Sequence, residues 1–124
     1  MKLSKVLLLT LISGAAQSHT QSPTLFGGEL NPLEAITLSK ETTVPIRLGN
    51  LSRFLTTYDI LVDEVKVGRT RPVPENGRIQ FKVPVSLDMP SSPQTFQICS
   101  IAFNDGGMLR TKVCTKAQLI WVDQ

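Results

Sequence analysis

The stretch Arg78–Asp88, RIQFKVPVSLD, decides the fold of this chain. Its apolar side chains occupy every second position without a fault. Because successive side chains of a β-strand point to opposite faces of a sheet, this period of two predicts a strand with one buried face. A helix would scatter the same side chains around its circumference. The apolar positions are Ile79, Phe81, Val83, Val85 and Leu87.

The residues around this stretch place it in a sheet. Asn76-Gly77, directly before it, is a typical turn pair between two strands. Pro84 has no backbone N–H to donate to a neighbouring strand, so the strand is expected at a sheet edge or with a bulge at this point.

Shorter strands with the same alternation are predicted upstream. Apolar and polar residues alternate over residues 36–39 and again over 44–49, and residues 40–43 separate the two stretches. Tyr58, Ile60 and Val62 form a third set, which residues 65–67 are expected to continue.

The C-terminal part predicts a hairpin with strands over residues 95–103 and 109–122 and a turn over 104–108. A four-residue loop at 105–108 would place Cys99 directly opposite Cys114. Opposed cysteines of a pair without backbone hydrogen bonds lie close enough to be bridged. Such a bridge stabilises a domain by roughly 3 kcal/mol through the entropy of the closed loop. We therefore expect one disulfide, Cys99–Cys114.

This register also assigns the two faces of the hairpin. The predicted core side holds Phe96, Ile98, Ser100 and Ala102 with Val113, Thr115, Ala117, Leu119 and Trp121. The disulfide is expected on the other side, with Ile101, Phe103, Arg110, Lys112 and Lys116. A bulge of one residue would reverse the assignment.

The N-terminus has the three zones of a secretory signal peptide, predicted over residues 1–18. Lys2 and Lys5 precede an apolar run at residues 6–12, and small residues fill 13–18. The run is shorter than the ~20 residues that span a bilayer, so no membrane insertion is expected after cleavage. Cleavage is predicted before His19, with cleavage after Ala16 as the alternative.

The mature chain is predicted to be a flexible arm over residues 19–32 followed by one domain over 33–124. Its length suits a single sandwich of about 100 residues. Removal of Lys2 and Lys5 with the signal peptide leaves 11 of the 13 basic residues, against 10 acidic residues. The resulting net charge of about +1 is too small for general nucleic-acid binding.

About six or seven short strands without a convincing helix predict an all-β fold of two antiparallel sheets packed face to face. Residues 36–40, 44–52 and 57–63 resemble the opening strands of immunoglobulin-like domains of the bacterial envelope, including the amino-terminal domain of pilus chaperones. The resemblance implies a single immunoglobulin-like β-sandwich and carries no activity with it.

No catalytic residues are predicted, and the protein is not expected to be an enzyme. Both cysteines are assigned to a bridge, and the only histidine, His19, lies in the arm. An amino-terminal His19 could hold copper through its amine and imidazole, but copper sites of this kind need a further histidine that the chain lacks. No metal and no cofactor is therefore expected.

The sequence predicts a non-catalytic binding or assembly module, exported to the periplasm or the cell exterior of a bacterium, with a protein partner in the envelope. Arg110, Lys112 and Lys116 lie on one face of the last strand and could bind that partner. More often, basic residues on a terminal strand guard a sheet edge against strand addition. The alternatives are a subunit or accessory of a pilus-type surface filament and, with less support, a periplasmic copper-binding protein that uses His19.

Overall fold

Residues 18–104 and 110–123 are described by a computed structural model of the chain. The predicted signal peptide, apart from Ser18, and the predicted hairpin turn at 105–108 lie outside them. The described part contains nine strands and one short 3-10 helix, η1. They are β1 (His19–Ser22), β2 (Leu25–Phe26), η1 (Pro32–Ala35), β3 (Ile36–Thr37), β4 (Glu41–Asn50), β5 (Thr56–Val62), β6 (Val65–Arg69), β7 (Arg78–Ser86), β8 (Pro93–Asn104) and β9 (Lys112–Trp121).

The strands form two packed sheets, which confirms the predicted all-β sandwich. The small sheet has the order β1-β4-β7, and the large sheet runs β9-β8-β5-β6. The prediction of purely antiparallel sheets needs one correction, because β2 and β3 each pair with β9 in parallel. These two pairings span only two residues each and cover the side of β9 that the hairpin leaves open.

The strand order is that of an immunoglobulin-type domain. With β1, β4 and β7 in positions A, B and E, and with β5, β8 and β9 in positions C, F and G, the two sheets match the usual division of that fold. The described residues contain no strand in position D, which would lie beside β7. As predicted from Pro84, β7 is therefore an edge strand.

The core lies between the sheets and is built from the alternating positions of the long strands. Val83, Val85 and Leu87 are buried as predicted, whereas Ile79 and Phe81 are only partly buried at the open side of the sandwich. The further core residues of the other strands include Val44, Ile46, Leu48, Tyr58, Ile60, Phe96, Ile98, Ala117 and Leu119.

Residues 65–67 do not continue β5, as the sequence predicts, but begin a separate strand. Asp63 and Glu64 have φ values of 49° and 71° and form a two-residue turn, after which β6 pairs antiparallel with β5. Two successive residues with positive φ are the mark of the tight turns that suit the twist of a hairpin. The carboxylates of this turn thus stand at one end of the large sheet.

The predicted strand over residues 36–39 is shorter than expected and does not bury its apolar side chains. Only Ile36–Thr37 pairs with β9, and Ile36 and Leu38 are exposed. Two apolar residues at alternate positions are too short a pattern to decide which face is covered.

The predicted flexible arm is the part of the domain assignment that needs correction. Its first residues form β1, which pairs with β4 from His19↔Asn50 to Ser22↔Arg47. His19 and Gln21 point into the core, and Thr20 and Ser22 point to solvent. The segment lacks apolar alternation because its inward side chains are polar, and for that reason the hydrophobic pattern does not reveal the strand.

The disulfide and the register of the last hairpin are as predicted. Cys99 lies opposite Cys114 in the β8–β9 ladder, with a Cα–Cα distance of 4.0 Å, and the two are bonded. Phe96, Ile98 and Ser100 are buried on the core side, whereas the bridge lies on the outer side of the large sheet. No bulge reverses the faces.

Candidate functional site

The outer face of the large sheet brings five basic residues together, and we call it the cationic face. The pairings Asp59↔Arg69 and Asp59↔Ile101 place β6 beside the face of β8 that carries the disulfide. Because side chains of neighbouring strands at paired positions share a face, residues distant in sequence meet here. The basic members are Lys66, Arg69, Arg110, Lys112 and Lys116. Arg69 and Arg110 lie over Phe103, whereas Lys116 lies opposite Gln97, farther along β8.

Phe103 is the centre of this face. The guanidinium carbon of Arg110 lies over its ring, 4.2 Å from the centroid, and that of Arg69 lies 5.3 Å from the same centroid. A guanidinium over the face of an aromatic ring is attracted by the negative charge density of that face. The ring of Phe103 remains partly exposed between the two cations. The result is an apolar surface bordered by two guanidinium groups, of which that of Arg69 is bound to Asp59.

Two acidic groups hold part of the cationic face in place. Nε of Arg69 donates to Oδ1 of Asp59 at 2.6 Å, and Lys66 approaches the same oxygen at 3.5 Å. The hydrogen bond from Arg69 holds the pKa of the Asp59 carboxyl below its ordinary value. On the far side, Nζ of Lys112 donates to both carboxylate oxygens of Glu64, at 2.9 and 3.1 Å.

The three predicted binding residues share this face but differ in their contacts. Lys112 is engaged by Glu64, and Arg110 packs on Phe103. Lys116 is exposed, next to Leu25 in the parallel pairing of β2 with β9. In the described residues no carboxylate lies within salt-bridge distance of Arg110 or Lys116.

The basic residues Lys66, Arg69, Arg71 and Arg78 lie close together in the sequence, but the structure divides them. Lys66 and Arg69 belong to β6 and join the cationic face, whereas Arg78 begins β7 in the small sheet. The pairing of β6 with β5 depends on the tight turn at Asp63-Glu64, which the sequence pattern did not reveal. The membership of Arg69 in the site was missed for this reason.

A second notable feature is a chain of hydrogen bonds buried between the sheets. The side-chain amide of Gln21 donates to the backbone oxygen of Ile98 at 3.0 Å and to Oγ1 of Thr115 at 2.6 Å. Its Oε1 therefore accepts the hydroxyl proton of Ser100 at 2.6 Å. Since that proton is committed, Nε2 of His19 must be the donor to Oγ of Ser100 at 3.0 Å.

The tautomer of His19 follows from this direction. Nε2 carries the proton, and Nδ1 accepts a hydrogen bond from the hydroxyl of Thr111. The imidazole is 2% exposed, and burial lowers its pKa below the ordinary value of 6.5. The ring packs on Tyr58, with 4.9 Å between centroids. His19 is thus a neutral core residue that joins the two sheets.

The sequence places no histidine in the core, but the structure buries His19 there beside Ser100. This Ser–His pair raises the question of a nucleophilic serine. In serine hydrolases the serine hydroxyl donates to the imidazole, which removes its proton. Here Ser100 accepts from His19 and donates to Gln21, the opposite direction. Ser100 is also 0% exposed. The pair is arranged to support the fold and not to activate a nucleophile.

The copper hypothesis depends on the same residue. Both ring nitrogens of His19 are occupied by hydroxyl groups, so a metal would have to displace Thr111 or Ser100. Within residues 18–104 and 110–123 no three His, Cys, Asp or Glu side chains are grouped as metal ligands.

Comparison with known proteins finds no matching family model, no matching curated protein and no matching solved structure. In the described part of the chain no helix has the length and apolar character that crossing a membrane requires.

Proposed function

We propose that this protein is a non-catalytic binding or assembly module of the bacterial envelope that contacts an acidic protein surface through its cationic face. The observation that carries the proposal is the partly exposed ring of Phe103 between the guanidiniums of Arg69 and Arg110. The cationic face is the outer surface of a β-sheet, and its side chains can contact a partner surface of complementary shape.

The chemistry of this face suits protein recognition. Arginine and aromatic residues are enriched in protein interfaces and among the residues that dominate binding energy. Arg110 presents a planar fork that can bind a carboxylate through two parallel hydrogen bonds. Lys116 adds a second positive charge on the same face. A partner with carboxylates around an apolar patch would complement both features.

Export is supported by the disulfide, because such bridges form and persist in oxidising compartments. The periplasm or the cell exterior is the proposed location, in agreement with the predicted signal peptide. The bridge lies under the cationic face, where it fixes β8 against β9.

The two alternative functions have less support. A filament subunit would need an N-terminal segment free to complete the sheet of a neighbour, whereas β1 here pairs with β4 of its own chain. A copper protein would need an accessible imidazole, whereas His19 is buried.

The proposal is tested by site-specific crosslinking in the native cells. A photo-reactive amino acid at Lys116 is expected to capture a discrete partner protein. The substitutions Phe103→Ala and Arg110→Ala should each weaken the affinity of the purified partner by about tenfold or more, as for residues central to an interface.

The matched control is Lys40→Ala, which removes an exposed lysine distant from the cationic face. This variant should bind like the wild type. Capture of no discrete protein at Lys116, or equal affinities for Arg110→Ala and the wild type, would contradict the proposed use of this face.

A further inference from the structure

The outer face of the small sheet carries a continuous groove at the opposite side of the domain. Its main part has a volume of about 340 Å³ and lies between the β1–β2 connection and the surface of β4 and β7. An adjoining part of about 180 Å³ extends it to the free edge of β7. The two parts share Arg47 and Gln80, and the second also reaches Arg78 and Ile79.

The charge of this groove is unbalanced. Arg47 and Arg78 are both exposed and lie two rows apart on the same face of the β4–β7 ladder. None of the residues that line either part is acidic. Glu41 shares the outer face of β4 but lies six residues from Arg47, about 20 Å along the strand. In the described residues neither arginine is within salt-bridge distance of a carboxylate.

The groove ends at the edge of β7, which has no neighbouring strand among residues 18–104 and 110–123. Asn50 donates to the backbone oxygen of Gly77 at 3.0 Å, and Leu87 donates to that of Lys40 at 2.9 Å. In an antiparallel ladder the bonded pairs alternate, so the odd-numbered residues of β7 bond to β4. The backbone groups of the even-numbered residues point away from the sheet. These residues are Arg78, Gln80, Lys82, Pro84 and Ser86.

This edge is the place of the strand that the immunoglobulin-type division would put in position D. Pro84 is the one even-numbered residue of β7 without an N–H, so the half of the strand around Gln80 is the better template for pairing. Self-pairing of two β7 strands would bring Arg78 and Lys82 near the same cations of the second copy, and like charges across a pair are destabilising. An acidic strand paired with β7 would avoid this repulsion between like charges.

We propose that an extended acidic segment of a partner protein adds to β7 as a fourth strand of the small sheet. Its backbone pairs with the free groups of Arg78, Gln80 and Lys82, and its carboxylates bind the guanidiniums of Arg47 and Arg78. Strand addition of this kind takes affinity from main-chain hydrogen bonds and selectivity from alternate side chains. The site is separate from the cationic face, and either can exist without the other.

The first experiment measures binding of a fluorescent acetylated peptide, Thr-Glu-Thr-Glu-Thr-Glu-Thr, to the disulfide-bonded protein. A peptide with Lys in place of each Glu is the control. The acidic peptide should bind and the basic one should not. The substitutions Arg47→Gln and Arg78→Gln should each weaken binding by about tenfold, the loss of one charge-assisted hydrogen bond. Lys40→Gln, which removes an exposed lysine outside both the groove and the cationic face, should leave it unchanged.

The second experiment reads amide hydrogen exchange residue by residue. The peptide should slow exchange at Arg78, Gln80 and Lys82, and it should leave Ile79 and Phe81 unchanged because these already bond to β4. Equal binding of both peptides, or no slowing at the even-numbered positions, would overturn the proposal. So would a free protein that is already dimeric with those amides protected, since a second copy would then occupy the edge.

Discussion

Mild acid should destabilise this domain through its single histidine. His19 is buried as the neutral Nε2–H tautomer, and burial lowers its pKa from the ordinary 6.5. The perturbation is a decrease from about pH 7.5 to about pH 5.5. In the unfolded chain the imidazole is solvated and takes up a proton near pH 6.5. In the folded chain the same proton would displace the hydrogen bond from Thr111 and place a charge in the core.

The sign and size of the change in the free energy of unfolding follow from proton linkage. Below pH 6.5 the unfolded state binds more protons than the folded state, so the free energy of unfolding falls as the pH falls. One proton limits the slope to about 1.4 kcal/mol per pH unit. Above about pH 7.5 the contribution is constant. The lowered pKa of Asp59 acts in a separate window, because that stability is lost only as the pH falls below the ordinary aspartate range.

The assay is urea unfolding followed by the fluorescence of the single tryptophan, Trp121, across this pH range. The control is His19→Gln, which should be less stable at every pH but should lose the slope between about pH 7.5 and about pH 5.5. Proton NMR of the single histidine measures its pKa directly. A flat free energy across this range, or a folded-state histidine that titrates at its ordinary pKa, would refute the buried neutral assignment.

Two further predictions concern the bridge and the single tyrosine. Reduction of Cys99–Cys114, or joint substitution of both by Ala, should lower the free energy of unfolding by about 3 kcal/mol, because the bridge closes a loop across 15 positions. An unchanged melting temperature under reducing conditions would contradict this value. Tyr58 is fully buried, and burial raises its pKa to about 12. Absorbance titration should therefore show tyrosinate only near pH 12 in the folded protein and near pH 10 in urea; a folded-state transition near 10 would show that its hydroxyl reaches water.

The cationic face shows how far sequence reasoning reaches towards a site. The alternation predicted over residues 109–122 placed Arg110, Lys112 and Lys116 on one face, and the hairpin register placed Phe103 with them. Arg69 could not be added to this group from the sequence, because its strand follows a turn that no glycine or asparagine announces. The sequence within one strand decides which of its side chains share a face. The pairing of strands decides which side chains of different strands come together.

The N-terminal strand illustrates a different limit. A segment reading His-Thr-Gln-Ser has no apolar period, and hydrophobicity therefore gives no reason to place it in a core. Its burial is possible because His19 and Gln21 find partners on β8 and β9 that satisfy their donors and acceptors. Such partners lie more than 70 residues away in the chain. Buried polar groups are stable only when these distant partners are in place.

The sequence by itself determined the strands with long alternation, the all-β class and the bridge from Cys99 to Cys114, because period-two patterns and a short hairpin are properties of neighbouring residues. Tertiary structure alone decided that β1 is a core strand, that β7 has a free edge, and that Arg69 and Arg110 meet over Phe103. These features depend on which strands become neighbours, and that choice belongs to the packing of the two sheets as a whole.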